Sequence, residues 1–141
     1  MTDQKGLIQA LPNATALTRQ KDGYWMNAPQ LDVLEMARLM KKLEARFSTM
    51  TGAMLPGNET AVMYHYCLGE DIFNFKASTN GNHIASIASI LPAADWIERE
   101  IQDLFNVTFD GHPHPERLLR PAQLEQGFFR EPGGAAGKGV N

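Results

Sequence analysis

Cysteine is almost missing from this chain: Cys67 is the single one in 141 residues. That excludes an internal disulfide, a cysteine-built zinc finger and a cysteine-ligated iron–sulfur cluster within the chain. Long apolar runs are missing too. None approaches the roughly 18 residues of a membrane-spanning helix. Met1-Thr2-Asp3-Gln4-Lys5 leads into no continuous apolar segment of a secretory signal. There is no cationic surplus. Lys and Arg number 13 against 16 Asp and Glu, a net charge of −3, which argues against a general nucleic-acid binder. Phosphate loops are absent, with neither G-x-x-x-x-G-K-[ST] nor a strand–GxGxxG–helix arrangement. A hydrophobic fraction of 43% and a charged fraction of 21% are ordinary for one soluble domain, expected in a reduced, cytosolic setting.

What is present reads as an α+β domain: a small, mainly antiparallel sheet packed with two or three helices, then an extended C-terminal arm. Leu7 to Leu17, broken by Pro12-Asn13, suits a short helix or a strand. Tyr24-Trp25-Met26 has strand character. Pro29 suits the first position of a helix. Val33, Met36, Ala37, Met40, Leu43 and Phe47 then recur at steps of three and four, predicting a helix over about 30–46. Met50 to Met54 is a candidate short strand. Ala61 to Leu68, the turn Gly69-Glu70-Asp71, and Ile72 to Ala77 predict a hairpin. After Pro92, Asp95 stands as an N-cap with Glu98 three positions on, the spacing of a capping box. Ile97, Ile101, Leu104 and Phe105 make the apolar face of a helix ending near Phe105. Arg99 and Asp103 are spaced to pair. Asn106 to Phe109 is extended, and Asp110-Gly111 is a turn. The chain divides into a globular part, 1–113, an arm, 114–132, rich in proline and arginine, and a glycine-rich flexible tail, 133–141.

Few residues suggest chemistry. His112-Pro113-His114-Pro115, with Asp110 before it, places two imidazoles and a carboxylate close together, the makings of a metal site or a small metal-dependent hydrolase. No third His or Cys ligand is evident; His65 sits mid-strand and His83 at an element start. Prolines bias both histidines to extended backbone, which suits a rigid segment better. Glu98, Glu100 and Asp103 are acid–base candidates, but charged residues opposite an apolar stripe read as a solvated face or a partner surface. Cys67, between Tyr66 and Leu68, reads as a small buried hydrophobe. Arg117, Leu118, Leu119, Arg120, Phe128, Phe129 and Arg130 make an arm suited to wrapping on a larger partner.

Pro92-Ala93-Ala94-Asp95-Trp96-Ile97-Glu98-Arg99-Glu100-Ile101-Gln102-Asp103-Leu104-Phe105, followed by Phe109-Asp110-Gly111-His112-Pro113, resembles the signature of the hydrophilic C-type subunit of respiratory complex I, the NADH dehydrogenase 30 kDa subunit family. That pattern runs W-x-E-R-E-x-x-D-[ML]-[FL], then F-x-G-H-P. Arg117-Leu118-Leu119 resembles the R-x-L-L that follows it. A second G-H-P-L-R-K-D-Y-like segment of the respiratory members is replaced by Gln126-Gly127-Phe128-Phe129-Arg130-Glu131-Pro132. That departure and the chain's length look more like the small C-type subunit of Ech-like, energy-converting, membrane-bound [NiFe]-hydrogenases. The resemblance implies a non-catalytic scaffold subunit of a peripheral arm on the cytoplasmic face of the membrane, with no cofactor of its own. Its partners would be a large [NiFe] or complex I-like subunit, iron–sulfur subunits and, through the complex, membrane subunits. The NiFe centre and iron–sulfur clusters would sit in those partners. The complex would link ferredoxin and H2 to ion translocation, or, as the alternative, reduce quinone from NADH. The motif residues expected at the partner interface are Trp96, Glu98, Arg99, Glu100, Asp103, Phe109, Gly111, His112, Pro113, Arg117, Leu118 and Leu119.

Overall fold

A computed structural model describes residues 4–57 and 59–114. The elements are α1 (Gln4–Gln9), β1 (Thr18–Gln20), β2 (Gly23–Asn27), α2 (Val33–Lys42), β3 (Arg46–Leu55), β4 (Glu59–Leu68), β5 (Asp71–Ser78), β6 (His83–Ala85), α3 (Ala94–Phe105) and β7 (Thr108–Asp110). The arm from residue 115 onward, with Arg117, Leu118 and Leu119, and the tail at 133–141 lie outside the described residues.

The hairpin expected from alternation is the centre of the fold. β4 and β5 pair antiparallel from Ala61↔Ser78 to Leu68↔Asp71, turning at Gly69 with φ +62. Val62, Tyr64, Tyr66 and Leu68 of β4 point to one face with Phe73, Phe75 and Ala77 of β5, and all are buried. The main sheet runs β1-β2-β5-β4-β3. Its pairings are antiparallel except β2–β5, which is parallel from Tyr24↔Phe73 to Asn27↔Lys76. A separate parallel pair, β6–β7, lies beyond it. The candidate strand at 50–54 is the middle of the longer β3, Arg46–Leu55, with an irregularity between Phe47 and Thr49.

The helix expected over 30–46 is shorter at both ends. Asp32, not Pro29, starts it: the Asp32 carboxylate accepts from the Glu35 N–H at 3.1 Å. At the other end Glu44 turns left-handed with φ +61. The Glu44 N–H donates to Lys41 O at 3.0 Å and the Ala45 N–H to Met40 O at 2.9 Å, the two bonds of a Schellman stop. The chain is thereby reversed into β3, so Phe47 belongs to a strand. Val33, Met36, Ala37 and Met40 lay the helix on the core.

α3 lies over β3 at Gly52. A Cβ there would stand 2.8 Å from Phe105 Cε2 and 2.9 Å from Cδ2, so only the bare glycine lets the helix this close.

The outer face of the sheet carries a polar chain across four strands. The Asn74 amide nitrogen donates to Tyr24 O at 3.1 Å, which aims its oxygen at His65 Nδ1, 2.6 Å away. His65 therefore donates from Nδ1, and its Nε2 accepts from the Thr51 hydroxyl at 3.1 Å. Cys67 is on this half-exposed face with Arg46 at 3.4 Å, not buried as a hydrophobe, because it alternates with the inward Tyr66 and Leu68.

Candidate functional site

The family-like motif folds into a clasp between the first turns of α3, the loop after β6 and the segment after β7. Asp95 does not cap the helix. Ala93 is the N-cap and makes no side-chain cap bond. Glu98 does not complete a capping box either; its side chain is fully buried, because α3 turns that face onto the sheet rather than to solvent.

One Glu98 oxygen accepts from the Ser86 hydroxyl at 2.6 Å, the other from the Ile87 N–H at 2.8 Å. Ser86 Oγ in turn accepts from the Ala88 N–H at 3.1 Å. The carboxylate thus ties the loop 86–88 to α3. Burial pushes the Glu98 pKa up from 4.5 to about 7, against the pull of these two bonds. The Tyr64 and Tyr66 hydroxyls, buried and without a hydrogen-bond partner among the described residues, are both pushed up by burial and then by the Glu98 charge.

His112 closes the clasp. Gly111, at φ +80, turns the chain back toward α3, where a side chain would be strained. His112 is 8% exposed. Its Nδ1 accepts from the His114 N–H at 2.8 Å, so the proton sits on Nε2 and is donated to Asp95 O at 3.1 Å. Nε2 also lies 3.6 Å from both the Asp95 and Glu98 carboxylates. His114 Nδ1 meets the other Asp95 oxygen at 2.7 Å, and this bond leads in holding the Asp95 pKa below the usual carboxylate range.

This geometry dismantles the metal cluster considered from sequence. Asp110 pairs with His83 at 2.8 Å, away from His112 and His114. Both ring nitrogens of His112 are spent on the backbone. Among the described residues no group of His, Cys, Asp and Glu is arranged to hold an ion. The acid–base trio is dispersed as well. Glu98 and Asp103 are buried, as is Gln102, while Glu100 faces solvent. Arg99 stands 4.0 Å from Asp95, one turn before it. Phe109 is a core residue and Pro113 is exposed. Trp96 is 60% exposed, with the Arg99 guanidinium 5.9 Å from its ring centre. Ser86 escaped the sequence reading. Its only signal is a small polar residue set between the apolar Ala85 and Ile87.

Such a fold and clasp make an α+β domain whose motif buries Glu98, Asp103, Phe109 and His112 and leaves Trp96, Glu100 and Pro113 at the surface. The family model for the respiratory-chain NADH dehydrogenase 30 Kd subunit matches residues 26–132, and the chain belongs to that family. Similar curated proteins include the C/D subunit of NADH-quinone oxidoreductase from Citrobacter koseri, 39% identical over 75 residues. The Edwardsiella ictaluri protein of the same description is 41% identical over 71. These alignments take in 50% and 48% of this chain but 12% of each relative. Among solved structures, a chain of the membrane-bound sulfane sulfur reductase, an archaeal respiratory membrane complex, is 25% identical with a TM-score of 0.64. The match covers 83% of this chain and 75% of that one. A trypsin-resistant Nqo5 fragment shares the fold at 18% identity and a TM-score of 0.58, covering 79% of this chain and 94% of the fragment. No helix among the described residues is long and apolar enough to cross a membrane.

Proposed function

We propose that this chain is a non-catalytic scaffold subunit in the peripheral arm of a membrane-bound, energy-converting oxidoreductase complex. The observation that carries the reading is the clasp. Glu98 and His112 of the family motif, with Asp95 just before it, turn their polar atoms onto Ser86, Ile87, His114 and each other. A motif used this way builds a rigid mount, not a place for substrate. In the hydrogenase form of this reading, the partner is a large [NiFe] subunit. That protein and the iron–sulfur subunits carry the redox centres, and the complex couples ferredoxin and H2 to ion translocation from the cytoplasmic face. The likeness to a membrane-bound sulfur-reducing complex supports a branch outside the quinone-reducing enzymes. The description of the curated relatives favours the second reading, the C-type subunit of an NADH–quinone oxidoreductase.

Purification of the membrane complex through a tag on this chain separates them. The hydrogenase form expects a copurifying large subunit with paired C-x-x-C motifs and H2 evolution from reduced ferredoxin. A large subunit without those cysteines, in a preparation that reduces quinone from NADH, establishes the second reading. A chain recovered alone from membranes and cytosol refutes both.

A further inference from the structure

Beside the clasp loop, a groove of about 680 Å³ opens where two strands part company. Asn80 and His83 exchange backbone bonds of 2.8 and 3.0 Å across Gly81 and Asn82, both at positive φ. This is the tight hairpin turn that ordinarily starts a ladder. The ladder stops after one bridge. On the β5 side the Ser78 N–H donates to Pro29 O at 3.0 Å and the Thr79 N–H to Thr60 O at 2.9 Å. On the other side β6 leaves to pair with β7. The Thr108 N–H reaches Asn82 O and the Ser86 N–H reaches Asp110 O, each at 2.8 Å. In a parallel ladder of that register, Ile84 presents its N–H and C=O to β7, and Ala85 presents its own to the groove.

Two features of the groove describe its occupant. β6 has an unpaired edge there, since among the described residues its sheet holds two strands. The charge is one-sided: Asp32 and Glu59 line the wall, and among the described residues neither Lys nor Arg does. Pro29, Leu31 and Ile84 supply apolar surface. An unpaired edge asks for extended backbone, and the carboxylates ask for a cation.

We propose that this groove receives an extended segment of a neighbouring subunit, which adds a strand to β6 at Ala85 and sets an arginine or lysine side chain between Asp32 and Glu59. The proposal rests on the scaffold reading above and adds an attachment at the free edge of β6, next to the clasp loop. Asp32 keeps one oxygen on the Glu35 N–H as the α2 cap, leaving the other for the guest.

Hydrogen exchange at single-amide resolution tests this on the tagged full chain, free and in its purified complex. The Ala85 amide should exchange about tenfold more slowly in the complex, the effect of one added hydrogen bond. Glu59→Lys, at an exposed position, should return that amide to the free-chain rate, while Glu59→Gln gives an intermediate rate. Ala85→Pro spares the β7 ladder and should keep the fold while weakening retention in the complex. Equal Ala85 exchange in free chain and complex overturns the groove proposal and leaves the scaffold reading standing. So does protection that Glu59→Lys leaves untouched, or protection that grows with concentration of the free chain alone, which marks a second copy as the occupant. A chain that copurifies with nothing overturns both.

Discussion

Glu98 should make this protein less stable as the pH rises from about 4.5 to about 7. Burial lifts its pKa from 4.5 to about 7. Below the lower value folded and unfolded chains both hold the proton. Between the two values the folded chain keeps a proton that the unfolded chain has released. Unfolding therefore sheds a proton and is favoured by rising pH. At about 1.4 kcal/mol per pH unit, the full loss is on the order of 3 kcal/mol, complete once the pH passes the folded value. The groups facing Glu98 are Asp95 on its own helix, Tyr64 and Tyr66 from β4, and His112 from the segment after β7. Glu98→Gln leaves all of them in place. The amide oxygen can accept from Ile87 N–H, and the amide nitrogen can donate to Ser86 Oγ, as the protonated acid does. Near pH 5 the variant should lie within about 1 kcal/mol of the parent. Near pH 8 it should be the more stable by on the order of 2 kcal/mol. Urea unfolding of both proteins across that range reads the difference, in which other titrating groups cancel. A gap that stays constant from about pH 5 to about pH 8 refutes the argument that burial of this carboxylate governs the site.

Three further substitutions test the packing. Tyr64→Phe removes a buried hydroxyl that has no partner among the described residues; urea unfolding should show a loss below about 0.5 kcal/mol, or a gain. A loss above about 2 kcal/mol would reveal a hydrogen bond missed by the geometry. Glu44→Gly relieves a left-handed residue at the α2 stop and should stabilise by about 0.5–1 kcal/mol, with a thermal midpoint raised by a few degrees; a lower midpoint would count against the assigned stop. Gly52→Ala pushes a methyl against the Phe105 ring and should cost about 1–3 kcal/mol, read as a lower urea midpoint; an unchanged midpoint would mean that α3 can lift from β3 freely.

The sequence displayed some of this fold openly. Alternation made the β4–β5 hairpin readable, since Tyr64, Tyr66, Phe73 and Phe75 all point to one side and each strand is half wet. α3 was readable from Ile97, Ile101 and Leu104. The ends of α2 were not, because its stop uses Glu44 in a conformation usually left to glycine, and nothing local announces that. Glu98 misled because the spacing of a capping box is a local pattern, whereas its partners Ser86 and Ile87 come from a different loop. The same gap hid the parallel pairing of β2 with β5, and the groove beside Ala85. Both arise from which strand lies next to which, a matter that periodicity does not encode.

That parallel pairing has a consequence for how the chain is made. β3, β4 and β5 follow one another with short turns and can zip together as soon as they exist. β2 has to wait for a partner roughly fifty residues downstream, a delay of several seconds at ordinary rates of synthesis. During that interval Tyr24, Trp25 and Met26 have only the three-residue β1 to pair with. The N-terminal third therefore docks only after β5 is made, and a slow ribosome or a missing chaperone prolongs that wait.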